Sequence, residues 1–180
     1  MRKPNPQEEL KIDKAIRFLA EKMAKSGNNP KPVVFHSIRV GNYIWNLGCS
    51  TNCVIAAFLH DLVEDSNTSI EYIEKDFGKE VSNLVEVTTF NSLIKDKTER
   101  YMDSFTRANA HSIDALLIRA ADILDNSNYY ELAIDKESFS KLLIKMKAFI
   151  DISNEKIGKT PIWNQLVDKY NKLLSSSVSR

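Results

Sequence analysis

The chain has 180 residues, of which 43% are hydrophobic and 27% charged, proportions typical of a soluble globular protein with a substantial core. Its 25 basic and 24 acidic residues leave a net charge of +1, which argues against nucleic acids and membrane surfaces as partners. No apolar stretch reaches the length of a membrane span, and the first residues lack the pattern of a signal peptide. Cys49 and Cys53 have no second Cys/His pair at zinc-finger spacing, so we expect buried or half-buried thiols in a reducing cytoplasm.

Apolar residues recur mostly three or four positions apart, which is the period of an α-helix. The first predicted helix carries an apolar stripe formed by Ile12, Ala15, Ile16, Leu19 and Met23. Residues 27–32 interrupt this helix, because one glycine and two prolines do not continue it. A second helix is predicted at about residues 34–47, with Gly48 as its C-terminal cap.

A third predicted helix begins near Thr51 and ends in the charged run at residues 60–65. Thr68 and Glu71 have the spacing of a capping box, which predicts the start of a short helix there. Gly78 is expected to end this helix, since glycine is the preferred residue at a helix C-terminus.

Residues 90–97 lack a helical period and are predicted to form a loop. Further helices are predicted at about residues 79–89, 98–108, 112–127, 139–155 and 161–174. Thr160 and Pro161 suit the N-cap and first turn of the last of these helices.

The pattern predicts an all-α fold, a single-domain helical bundle over residues 1–180. The candidate site described below falls in a core at about residues 10–130, with helices at about 139–174 packed on it. Apolar residues of the last helix are Ile162, Trp163, Leu166 and Val167. They pack on the core or form a homodimer contact, and we expect core packing because a terminal helix commonly docks in this way.

Asp122 is a charged residue in a predicted helix that is otherwise largely apolar. Its apolar neighbours are Leu116, Leu117, Ile118, Ala120, Ala121 and Leu124. A carboxylate there is costly to bury unless it is paired or bound to a cation. Two explanations remain open: an ion pair with Arg119 or Arg100, or coordination of a metal ion.

The sequence contains three histidines, and two of them stand at informative places. His36 lies in the first turns of the second predicted helix, and His60 is followed directly by Asp61. With Asp122 they form a mixed nitrogen and oxygen set that suits Mn²⁺, Fe²⁺, Co²⁺ or Zn²⁺. Each histidine could equally be a surface residue or a satisfied core group, and His111 is expected to be a surface or capping residue.

Glu64 and Asp65 follow the His-Asp pair by about one helical turn. If the helix continues, Glu64 lies on the same side as His60 and Asp61. A carboxylate beside a metal-bound water can take its proton or orient it, and a neighbouring acid can serve the leaving oxygen. The alternative is a solvated, acidic helix end.

These motifs resemble the HD-domain phosphohydrolase superfamily, whose signature is a His, a His-Asp pair and a distant Asp around a metal ion. Residues 58–65, FLHDLVED, are similar to the LLHDVVED segment of the RelA/SpoT-type hydrolase domain. Residues 68–88 follow with the spacing of that family, and residues 118–126, IRAADILDN, are similar to its IKLADRLHN helix.

The resemblance implies a Mn²⁺-dependent enzyme that removes the 3′-pyrophosphate from guanosine tetra- or pentaphosphate. It implies His36, His60, Asp61 and Asp122 as the metal ligands. The partner would be a phosphorylated nucleotide.

The same resemblance implies that Glu64 and Asp65 activate and orient the attacking water. Asn126 matches the family asparagine that lies near the nucleoside sugar. Arg119 stands where the family has a lysine and could hold phosphate through a bidentate contact. Lys31 is the nearby cation of the loop before the first histidine.

Two departures from the family pattern keep other functions open. In the loop before His36 the only nearby cation is Lys31, where the family has an arginine against the guanine, and Ser37 follows His36 where the family has a proline. In the later motif Ile123 and Asp125 replace an arginine and a histidine. The alternatives are therefore hydrolysis of another nucleotide or phosphoester, a non-catalytic module that binds metal or nucleotide, and a helical scaffold with an incidental ion-pair cluster.

Overall fold

A computed structural model of the chain describes residues 5–26, 32–132 and 135–177. Within these ranges the secondary structure is helical and contains no strand, which confirms the predicted all-α fold. The helices are α1 (Pro6–Ser26), α2 (Val33–Asn46), α3 (Thr51–Leu59), α4 (Leu62–Asp65), α5 (Ile70–Phe77), α6 (Lys79–Thr88), α7 (Lys97–His111), α8 (Ile113–Asn126), α9 (Lys136–Ile157) and α10 (Pro161–Ser177). A 3₁₀ helix, Ser127–Leu132, follows α8 and was not predicted.

The internal contacts divide the chain into two compact units, a first unit of Met1–Thr89 and a second unit of Phe90–Arg180. The first unit contains α1 to α6, and the second contains α7 to α10 with the 3₁₀ helix. The prediction of one domain over residues 1–180 stays a prediction. None of the described helices combines the length and the hydropathy needed to cross a membrane.

In the first unit α3 is the central helix, and it packs against α1, α2 and α6. Residues 53–59 of α3 are all buried, as expected for a helix surrounded by others. The Oγ of Ser50 accepts a hydrogen bond from the backbone N–H of Cys53 and caps the start of the helix. Cys53 is buried and Cys49 half-buried, as expected, and neither forms a disulfide within the described residues.

The packing of α2 on α3 depends on a glycine. A Cβ built on Gly41 would lie 2.5 Å from carbons of the Phe58 ring, far inside van der Waals contact. Only a residue without a side chain therefore permits this approach. The close packing fixes the two helices that carry His36 and His60.

The start of α5 differs from the prediction. Ser69, not Thr68, occupies the N-cap, and its side chain makes no capping bond. The Oγ1 of Thr68 instead lies within hydrogen-bond distance, 2.9 Å, of the Oγ of Ser66, whose hydroxyl donates to the carbonyl of Leu62. The predicted capping box is therefore wrong, because Thr68 belongs to the turn that closes α4. Gly78 ends α5 with a φ of 89°, as predicted.

In the second unit α8 is buried along most of its length and packs against α7, α9 and α10. Ser112 caps α8 by accepting a hydrogen bond from the N–H of Ala115. Ile162 and Leu166 of α10 are buried, which confirms the predicted core packing for these two residues. The helix α9 is longer than predicted, because Asp135 caps it and the helix begins at Lys136, three residues before the expected start at residue 139.

Candidate metal centre

Three of the predicted ligands meet in the first unit. His36 lies in the first turn of α2 and is 6% exposed, and His60, directly after α3, is fully buried. The carboxylate of Asp61 lies between them, with Oδ1 3.1 Å from Nε2 of His60 and Oδ2 3.5 Å from Nε2 of His36. The two imidazole rings meet edge to face with their centroids 5.3 Å apart.

The backbone fixes the orientation of the His60 ring. Its Nδ1 lies 2.8 Å from the carbonyl oxygen of Ala57, one turn back along α3. Because a carbonyl oxygen can only accept, Nδ1 carries the proton in this contact. The lone pair of the neutral ring then lies on Nε2, the nitrogen that faces Asp61.

This arrangement suits a bound cation. Two ligand atoms at right angles around an ion with bonds of about 2.1 Å lie about 3.0 Å apart. The distances of 3.1 and 3.5 Å from Asp61 to the two histidines are close to that spacing. Imidazole nitrogen with carboxylate oxygen is also the donor set expected for Mn²⁺, Fe²⁺, Co²⁺ or Zn²⁺. The residues present therefore fit a transition-metal ion.

Glu64 and Asp65 lie on the short helix that begins directly after Asp61. The backbone N–H of Asp65 donates to the carbonyl of Asp61 over 2.9 Å, so residues 61–65 complete one helical turn. Residues three and four positions apart share a helix face, which places both acids on the side of Asp61. Glu64 is exposed and Asp65 is half-buried.

Asp122 lies in the second unit, on α8, and is 4% exposed. Arg119 donates from Nη1 to its Oδ2 over 2.8 Å, and the amide of Asn126 donates to its Oδ1 over 2.5 Å. Of the two ion pairs considered for Asp122, the one with Arg119 is therefore present. Arg100 donates instead to the backbone carbonyl of Ile94.

Arg119 is among the largest fully buried side chains, with 2% of its surface exposed. Its Nε and Nη2 both donate to the hydroxyl of Ser104 on α7, over 3.0 and 2.7 Å. Its guanidinium carbon lies 4.6 Å from the centroid of the Phe90 ring. These contacts surround the guanidinium with protein groups.

Sequence reasoning missed Ser104 and Phe90, which contact the guanidinium, and Tyr130, whose phenol experiences the charge of Asp122. Tyr130 is 3% exposed, and its hydroxyl has no hydrogen-bond partner among the described residues. Burial raises the pKa of this phenol well above its ordinary value, and the charge of Asp122 and the Tyr101 phenol act in the same direction. The one available signal was Ser104, a small polar residue on an apolar helix face.

Three further residues were considered in the sequence analysis: His111, Lys31 and Arg119. His111 is exposed and contacts Ser112, as expected for a surface residue at a helix boundary. Lys31 lies outside the described residues. The phosphate contact predicted for Arg119 stays a prediction.

The helices and the histidine–aspartate cluster define an all-helical protein with a candidate transition-metal centre. A family model described as HD domain matches residues 15–142, and the chain therefore belongs to the HD-domain family. Among curated proteins, the guanosine-3′,5′-bis(diphosphate) 3′-pyrophosphohydrolase of Aquifex aeolicus is 30% identical over 168 residues, which cover 91% of this chain and 24% of that protein.

Two further relatives are smaller proteins of the same name, MESH1. The Drosophila melanogaster protein is 43% identical over 98 residues, which cover 53% of this chain and 54% of that protein. The Xenopus tropicalis protein is 35% identical over 120 residues, which cover 64% of this chain and 66% of that protein. The chain thus spans from about a quarter to about two thirds of the length of these relatives.

Among solved structures, a metazoan orthologue of SpoT that hydrolyses ppGpp superposes with a TM-score of 0.79. The match covers 96% of this chain and 98% of that chain at 24% identity, so it supports the fold alone.

Proposed function

We propose that the chain is a metal-dependent phosphohydrolase that converts guanosine 3′,5′-bis(diphosphate) to GDP and pyrophosphate. The observation that carries the proposal is the meeting of two buried imidazoles on one carboxylate, in a chain of the HD-domain family. The names of the relatives from Aquifex aeolicus and Drosophila melanogaster support the choice of substrate.

The proposed ligands are His36, His60, Asp61 and Asp122, and the proposed ion is Mn²⁺. His36, His60 and Asp122 each offer one ligand atom, and all three residues are buried. When bound, such an ion polarises a phosphoryl oxygen and makes a coordinated water more acidic. The hydrogen bond from Nδ1 of His60 to the Ala57 carbonyl leaves a lone pair on Nε2, and this lone pair can bind the ion.

Glu64 and Asp65 are the proposed acid and base groups. Hydrolysis joins the oxygen of water to the phosphorus that carries the 3′ oxygen, and the bond from that phosphorus to the 3′ oxygen breaks. The carboxylate of Glu64 accepts the proton that the attacking water loses. Asp65 orients the water. Glu64, which is protonated after this transfer, then gives a proton to the departing 3′ oxygen.

Asn126 and Lys31 are the proposed contacts to the nucleotide. The amide nitrogen of Asn126 donates to Asp122, which leaves its carbonyl oxygen available to accept from a ribose hydroxyl. Lys31 would contribute a positive charge near phosphate. We also propose a cytoplasmic location, and the homodimer considered from the sequence remains an alternative to a monomer.

The first experiment is turnover of guanosine tetraphosphate by the purified protein with Mn²⁺, followed by ion-exchange chromatography. We expect GDP and pyrophosphate from the wild type and none from Asp61→Ala. Glu64→Gln should retain metal and fold but lose turnover, whereas Glu155→Gln, an exposed acid on α9, should behave as wild type. No turnover by a protein that holds Mn²⁺ would exclude this substrate, and a screen of other nucleotides and phosphoesters would then separate another hydrolase from a binding module.

A further inference from the structure

Arg119 is buried, paired with a carboxylate and held by hydrogen bonds to neighbouring side chains. Its guanidinium is a permanent charge with 2% of the side chain exposed, and it pairs with the carboxylate of Asp122. Burying such a charge costs several kcal/mol unless its donors are used, as a general estimate for buried ions. Three of its nitrogens are used, on Ser104 and Asp122.

The contacts to Asp122 come from both directions along α8. Arg119 lies one turn before Asp122 and donates to Oδ2, while Asn126 lies one turn after it and donates to Oδ1. Each carboxylate oxygen accepts one of these bonds, so the two donors hold the group from both sides. With both oxygens held, the carboxylate cannot rotate without breaking a charge-assisted hydrogen bond.

The guanidinium is in turn fixed from outside α8. The Ser104 hydroxyl on α7 accepts from two of its nitrogens, which sets the plane of the group. The Phe90 ring covers a face of that plane and itself meets the Tyr101 ring edge to face, with centroids 5.0 Å apart. The Lys145 ammonium lies 3.8 Å from the centroid of the Tyr101 ring, which adds a further cation–π contact.

We propose that Arg119, anchored on Ser104, is a positioning residue that orients the Asp122 carboxylate as a metal ligand. The proposal rests on the proposed function, in which Asp122 binds the ion. Partners of this kind around metal ligands typically contribute about 10- to 100-fold to metal affinity. The guanidinium thus serves the metal through Asp122 instead of contacting phosphate.

The test is Mn²⁺ affinity of the full-length protein, measured by calorimetry on variants whose folding is checked by circular dichroism. Arg119→Lys keeps the charge but loses the planar fork, and we expect it to weaken Mn²⁺ binding about tenfold or more. Ser104→Ala leaves the arginine in place and should weaken binding by a smaller factor. Arg107→Lys is the matched control, because Arg107 forms a comparable pair with Asp103, 2.8 Å long, on a half-buried part of α7.

The outcomes separate this proposal from the proposed function. A purely structural ion pair would lower the unfolding temperature of Arg119→Lys and leave the Mn²⁺ affinity of the folded protein unchanged. Wild-type affinity in Arg119→Lys and Ser104→Ala, with affinity lost in Asp122→Asn, would overturn the positioning role alone. Wild-type affinity in Asp122→Asn would remove Asp122 from the ligand set, and both proposals with it. If Arg119→Lys does not fold, Ser104→Ala decides between the two roles.

Discussion

At the scale of single residues, the buried environment of Tyr130 determines how this residue affects the stability of the protein. Its ring is buried in the second unit, and the hydroxyl has no hydrogen-bond partner within the described residues. A buried hydroxyl without a partner costs about 1–3 kcal/mol relative to one that is satisfied. Removing the oxygen should therefore leave stability at neutral pH unchanged or slightly higher.

Tyr130 also predicts a pH dependence. An unfolded tyrosine ionises near pH 10, whereas burial and the charge of Asp122 raise the pKa of Tyr130 above this value in the folded protein. The stability that this group contributes is therefore fully present below about pH 10 and is lost as the pH rises further. The free energy of unfolding should fall by up to about 1.4 kcal/mol per pH unit from this residue.

Urea unfolding of the wild type and Tyr130→Phe between about pH 8 and pH 11 measures this effect. The wild type should lose stability more steeply above about pH 10 than Tyr130→Phe. Tyr129→Phe removes a neighbouring, exposed phenol and should keep the wild-type slope. Parallel curves for wild type and Tyr130→Phe would show that the buried phenol does not control stability at high pH.

The site residues differ in how far sequence could predict them. A carboxylate in an apolar helix and a His-Asp pair are visible locally, so His60, Asp61 and Asp122 stand out. Arg119 stands three positions before Asp122 on α8, so helical spacing already favours it over Arg100 as the ion-pair partner. The hydroxyl of Ser104 lies fifteen positions from Arg119 along the chain, and only the packing of α7 on α8 brings them together.

At the scale of elements, the junction of α2 and α3 is set by the missing side chain of Gly41. A methyl group there would overlap the Phe58 ring, which is 1% exposed and enclosed by the core. Overpacking of this kind costs about 1–3 kcal/mol, while replacing a helical glycine by alanine gains about 1 kcal/mol. The clash should win.

We expect Gly41→Ala to lower the free energy of unfolding by up to about 2 kcal/mol and to weaken Mn²⁺ binding, because α2 carries His36. Chemical denaturation and metal titration measure the two effects. In a Phe58→Ala background the same substitution meets no ring and should be neutral or stabilising. Equal losses in both backgrounds would mean that contact with Phe58 is not the cause.

Helix ends could be predicted where one residue type determines them. Gly48 and Gly78 have φ angles of 79° and 89°, which favour glycine, and both stand where a helix was expected to end. Ser112 caps α8, at the start of the helix predicted at about residues 112–127. Thr68 was misassigned because Ser66, Thr68 and Ser69 are all suitable cap residues, and the turn after α4 decides among them.

At the scale of the whole molecule, the fold class follows from the helical period and from the small number of glycines and prolines. The match to the HD domain covers residues 15–142, a range that includes both similar segments at 58–65 and 118–126. The lengths of α9 and the 3₁₀ helix were harder to predict, because their ends have weak local signals. A long helix such as α9 is stabilised mainly by tertiary packing, and the local sequence does not determine where that packing ends.

The proposed metal centre predicts the response of the whole molecule to Mn²⁺. A ligand that binds only the folded state stabilises it by RT ln(1 + [L]/Kd), which is about 2.7 kcal/mol at one hundred times Kd. For a chain of this size that corresponds to a rise in unfolding temperature of roughly 5–10 °C. Chelation by EDTA should reverse the rise, and Ca²⁺ should reproduce it poorly, because imidazole ligands favour transition metals.

Two variants make the measurement specific to the site. Asp61→Ala removes the carboxylate that contacts both histidines and should abolish the rise with Mn²⁺. Asp151→Ala removes a carboxylate of an exposed pair with Lys147 on α9 and should leave the rise intact. An equal response in Asp61→Ala would place the stabilising ion elsewhere. If Mn²⁺ does not raise the unfolding temperature of the wild type, the buried histidines are core groups that bind no Mn²⁺. The proposal of a Mn²⁺-dependent hydrolase would then be wrong.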